Sequence, residues 1–95
     1  MSYALADEYL WKEVKGRVVV LHFDSGKYFS LNSTGSLIWK SVLDGRPMNA
    51  IVDQICSEYS TDRGVAEADT KEMINFFLAR KFITGPGLGS DVSEE

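Results

Sequence analysis

The stretch "GKYFSLNSTGSLIWKSVLDG", residues 26–45, decides the fold. It places Tyr28, Phe29 and Leu31 before a polar break and Leu37, Ile38, Trp39, Val42 and Leu43 after it. The first part alternates like a strand, and the second has the spacing of a helix with a broad apolar face. The break, Asn32-Ser33-Thr34-Gly35, supplies a helix cap at Asn32 or Ser33. Gly45 stands where a helix ends in a left-handed residue. A strand therefore turns directly into a core helix.

Outward from this junction, the N-terminal side reads as β. "YLWKEV" (9–14) runs into Lys15-Gly16, a tight-turn signal. "RVVVLHF" (17–23) follows, with Val18, Val20 and His22 on one face and Val19, Leu21 and Phe23 on the other. Asp24-Ser25-Gly26 is a second hairpin signal, and "KYFSL" (27–31) is the third strand.

The C-terminal side reads as helix. Pro47 starts a helix over about 47–59, whose Met48, Ile51, Val52, Ile55, Cys56 and Tyr59 form a core-facing stripe. Thr61 or Asp62 caps a longer helix reaching about Lys81. Met73, Ile74, Phe76, Phe77 and Leu78 exceed what one buried face requires, so Phe76 is spare. The predicted architecture is α+β: a three-stranded antiparallel β-meander followed by three α-helices, like a winged helix-turn-helix with its wing first. Residues 1–83 form the domain, and the tail from 84 to 95 is expected to be disordered.

Composition narrows the function. One cysteine and one histidine allow neither an intrachain disulfide nor a Cys/His zinc site, so no metal and no cofactor is expected. No signal peptide or membrane-length apolar run is evident, which points to the cytoplasm and away from membranes. His22 has no nucleophile beside it in sequence and reads as a half-buried strand residue, and Cys56 reads as core packing. No catalytic constellation emerges, so an enzyme is not expected. A recognition helix would need cationic residues, yet the third helix starts with Glu67, Asp69 and Glu72 in a chain of net charge −4. Nucleic acid is excluded as a partner on that ground.

What remains is a binding surface. The third strand is a sheet edge if spatial order follows sequence order, and of its residues only Lys27 is charged. Tyr28 and Phe29 point to opposite faces, so one of them borders whatever lies between the edge and a helix. An edge flanked by spare aromatics suits β-strand addition by a peptide. The alternative is an edge covered by the chain's own N-terminus or by a homodimer.

"KYFSLNSTGSLIWKSVLDG" resembles the signature of the PqqD-like family: an aromatic strand ending in Leu-Asn, a Gly three residues on, Ile/Trp, then a Leu and a closing Gly. "AIVDQICSEYS" and "ADTKEMINFFLARKFI" (68–83) fit the order of its later helices, so the resemblance covers about residues 8–83. One departure is Lys81, where the family commonly has Gly. The resemblance implies a RiPP precursor-peptide recognition element (RRE) that binds the leader region of a ribosomally made precursor and delivers it to modifying enzymes. The leader would add a strand beside Lys27, Tyr28, Phe29, Ser30 and Leu31. Helical spacing then selects Thr70, Met73, Phe76, Phe77 and Arg80 as the facing wall, and Lys27 and Arg80 are expected to meet acidic leader residues. The short chain resembles the discrete elements of lasso-peptide systems, which serve a leader peptidase and a cyclase. The other role in the family is presentation of a precursor to a radical SAM enzyme.

Overall fold

Lys15 and Gly16 both adopt positive φ, 54° and 81°, the conformation of a two-residue hairpin turn. This turn joins β2 (Tyr9–Val14) to β3 (Arg17–His22) in the computed structural model, which describes residues 3–85. A second turn, with Gly26 at φ 72°, leads into β4 (Tyr28–Ser30). The three strands form an antiparallel sheet in the order β2-β3-β4, so β4 is an edge. The remaining elements are α1 (Ser33–Leu43), α2 (Met48–Tyr59) and α3 (Arg63–Ala79). The molecule is thus α+β, with a meander followed by three helices.

Local signals account for most boundaries. Asn32 caps α1 through its Oδ1, which accepts from the Gly35 N–H at 2.7 Å. Asp62 caps α3 in the same way, accepting from Gly64 N–H at 3.0 Å. Pro47 lies just outside α2, at its N-cap with extended ψ, rather than in the first turn. Gly45 ends α1 at φ 82°: its N–H bonds Val42 O at 3.1 Å while Arg46 N–H bonds Ser41 O at 3.0 Å. That pair of bonds is a Schellman motif. α3 ends with the same pair, Lys81 N–H to Leu78 O and Phe82 N–H to Phe77 O, each 3.0 Å. Lys81 therefore adopts φ 62°, the left-handed conformation that glycine adopts without strain.

The core lies between the inward face of the sheet and the helices. Val18, Val20, Ile38, Trp39, Ile51, Val52, Ile74 and Phe77 are all buried, each large one contributing about 1.5–3 kcal/mol by leaving water. Trp39 sits at its centre, edge-on to Phe77 with ring centroids 5.0 Å apart. Ser36 ties α1 to the sheet where β4 ends. Its buried hydroxyl accepts from Val18 N–H at 2.7 Å and lies 3.5 Å from Leu31 O, taking the bond that the Leu31 carbonyl would accept in a continued ladder.

One pairing was not predicted. β1 (Ala4–Leu5) and β5 (Ile83–Thr84) form a separate antiparallel two-stranded sheet. Thr84 is therefore paired to Ala4, while residues 86–95 of the expected disordered tail lie outside the described residues. The described N-terminal segment pairs with β5, and among the described residues no strand pairs with the outer edge of β4. No described helix is long and apolar enough to cross a membrane.

Candidate peptide-binding groove

Strand residues send N–H and C=O to the same side, and successive residues alternate. Leu31 N–H bonds Val18 O at 2.9 Å, and Lys27 O accepts from His22 N–H at 2.9 Å. Lys27, Phe29 and Leu31 thus turn their backbone groups toward β3. It follows that Tyr28 and Ser30 turn theirs to the open edge, which offers an incoming strand two donors and two acceptors.

Side chains alternate across the other axis. Phe29 opposes Val20 and faces inward, whereas Tyr28 opposes Leu21 and is 73% exposed on the outer face. Of the aromatic pair, it is Phe29 that borders the space beside the edge. Its ring lies 5.5 Å from Phe76 and 5.8 Å from Phe82. The Arg80 guanidinium lies over Phe76 and Phe29, 5.2 and 5.8 Å from the ring centroids. Partly buried aromatic faces under a cation retain a hydrophobic contact surface with a charged rim.

A groove runs along this edge. A cavity of about 650 Å³ is bounded by Phe29, Ser30, Leu31 and Asn32 on one side and Asp69, Glu72, Met73 and Phe76 of α3 on the other. Arg17, Thr34 and Ile38 close its end. A smaller one, about 230 Å³, continues past Phe29 between Lys27, Tyr28 and Arg80. Eight of the expected site residues therefore converge: Lys27, Tyr28, Phe29, Ser30, Leu31, Met73, Phe76 and Arg80.

Thr70 and Phe77 do not. Both are fully buried, Thr70 donating its hydroxyl to Ala66 O at 2.7 Å and Phe77 packing on Trp39. Adjacent residues on a helix are turned by about 100°. Phe77 therefore faces the core while Phe76 faces the groove. Asp69, Glu72 and Arg17 were missed as groove residues. The signal for the two acids was present, because 69, 72, 73, 76 and 80 share one face at intervals of three and four.

The lone histidine has a local role. His22 packs on Tyr9 with ring centroids 4.9 Å apart, and its Nδ1 lies 2.9 Å from Ser25 Oγ. Cys56 is half-buried against the core. Among the described residues no cluster of His, Cys, Asp or Glu is arranged to hold a metal ion.

An antiparallel edge with an apolar groove between it and a helix defines a class of small domain that accepts an extended peptide. The chain belongs to the PqqD family, described as Coenzyme PQQ synthesis protein D, which matches residues 17–83. Two solved structures resemble the whole domain. TbiB1 in complex with the TbiA(beta) leader peptide is 32% identical, with a TM-score of 0.77, covering 88% of this chain and 98% of that one. Lasso peptide synthetase B1 complexed with the leader peptide is 26% identical, with a TM-score of 0.81, covering 90% of this chain and all of that one (100%). No curated protein matches the chain.

Proposed function

We propose that this protein is a non-catalytic module that captures the leader segment of a ribosomally synthesised precursor peptide and delivers it to modifying enzymes. The leader adds as a strand to the Tyr28–Ser30 edge, with its inward side chains in the groove against Met73 and Phe76. The observation that carries this reading is the open β4 edge beside an apolar groove, in a chain similar along nearly its full length to two proteins solved with leader peptides. Backbone pairing supplies affinity and is indifferent to sequence, while the groove supplies selectivity.

One of the two structural likenesses is to a lasso peptide synthetase B1, which favours a leader peptidase and a cyclase as the enzymes served. The family description favours the second reading, presentation of a precursor to a radical SAM enzyme. A homodimer paired through β4 is the competing use of the same edge. Labelled leaders of small precursors encoded beside the gene test the proposal. We expect micromolar or tighter binding that is competed by unlabelled leader. A concentration-independent dimer that binds none of these leaders contradicts it.

A further inference from the structure

We propose that the docked segment has a charge order: a basic residue, a large apolar residue and an acidic residue at alternate positions, from N- to C-terminus. The inference rests on the leader-binding reading above and specifies which leaders the groove selects.

The register follows from the edge. Tyr28 and Ser30 present the free backbone groups, so incoming residues opposite them make the hydrogen bonds and point outward with them. Incoming residues opposite Leu31, Phe29 and Lys27 point toward α3. These are alternate residues of the incoming strand. The sheet is antiparallel throughout, and antiparallel addition gives the straighter hydrogen bonds. The segment then starts beside Leu31 and finishes beside Lys27.

The groove differs in charge along that path. β4 and α3 run in opposite directions, so Leu31 and Asn32 share a cavity with Asp69, Glu72 and Met73, whereas Lys27 shares one with Arg80. Asp69 and Glu72 make no ion pair with any described residue. Arg17, at that same end, donates its Nε to Leu31 O at 3.2 Å and offsets one of the two negative charges. At the other end Lys27 and Arg80 likewise make no ion pair among the described residues, and no acidic side chain lines that cavity. The middle is apolar, with Phe29 flanked by Phe76 and Met73. The cationic end is the stronger of the two poles. Because all four charges are solvent-exposed, their effect is screened by salt.

Three synthetic peptides of equal length test this, identical except for a centre of Lys-Thr-Leu-Thr-Glu, Glu-Thr-Leu-Thr-Lys or Gln-Thr-Leu-Thr-Gln. Affinity is read by fluorescence anisotropy at low salt, alongside the amide resonances of Tyr28 and Ser30. The Lys-first peptide is expected to bind about tenfold tighter than the Glu-first one, with the neutral peptide between them. The double variant Lys27→Glu/Arg80→Glu should level or invert that preference. Equal binding of all three, or preference for the Glu-first peptide, overturns this inference alone. No binding by any peptide, with no movement of the two amide resonances, overturns the groove reading and this inference together.

Discussion

The sheet has two edges, and each has a cavity beside it. Next to β2 lies one of about 580 Å³, lined by Trp11, Leu37, Leu43 and Tyr59 as well as by Lys40, Asp44, Arg46, Gln54 and Glu58. The cavity beside β4, about 650 Å³, is lined by Phe29, Leu31, Ile38, Met73 and Phe76 together with the charged Arg17, Asp69 and Glu72 and the polar Ser30, Asn32 and Thr34. The strands at the two edges differ more than the cavities do. β2 carries Lys12 and Glu13, and Glu13 is held by Lys40 at 2.9 Å. Charge on an exposed strand discourages pairing with another chain. β4 carries no charge within Tyr28–Ser30. Nearly equal volumes can therefore have opposite meanings, and edge chemistry separates them.

Proline substitutions should break this comparison most sharply. The Ser30 N–H faces the open edge of β4, and by the same alternation the Glu13 N–H faces the open edge of β2. Ser30→Pro removes an edge donor and should weaken leader binding by at least about tenfold. Glu13→Pro, at the far edge, should leave affinity within about twofold if peptide docks only at β4. Titration of a labelled leader into each variant provides the check, and equal losses would erase the distinction between the edges.

The two faces of β4 give the next largest contrast. Phe29→Ala should cost affinity and about 2 kcal/mol of stability, since the ring is half-buried against Phe76 and Phe82. Tyr28→Ala removes a side chain from the outer face and should change stability by less than about 0.5 kcal/mol. Chemical denaturation measures the stabilities, and leader titration the affinities.

The smallest effect concerns the helix ends. Gly45 and Lys81 hold equivalent Schellman positions, at φ 82° and 62°. Lys81→Gly should relieve left-handed strain and stabilise the fold by roughly 1 kcal/mol. Gly45→Lys should do the reverse by a similar amount. Midpoints of urea unfolding separate the two variants, and a destabilised Lys81→Gly protein would refute the strain argument.

These contrasts also mark what the sequence made readable. Lys15-Gly16, Asn32, Asp62 and Gly45 act through their immediate neighbours, so their turn and caps could be placed without the fold. The departure at Lys81 was visible, but its geometry was not. β1 and β5 are two residues each and pair across most of the chain, leaving no periodic pattern to detect. The groove was half legible. The alternation of Tyr28 and Phe29 identified the edge as a candidate, but the crowding of Met73, Ile74, Phe76, Phe77 and Leu78 hid how α3 is rotated. Thr70 and Phe77 were therefore assigned to the wrong face, and Asp69 and Glu72 were missed as part of the wall. Arg17 is distant in sequence from the residues it joins, and no local signal places it there.

In the proposed complex the peptide docks on the β4 edge. Amide hydrogen exchange, with and without a leader peptide that binds, tests it most directly. The Tyr28 and Ser30 amides are expected to exchange freely in the unbound protein and to become protected in the complex, while Trp11 and Glu13 on the far edge are unchanged. Binding that leaves Tyr28 and Ser30 unprotected, or that protects the β2 edge instead, would contradict it.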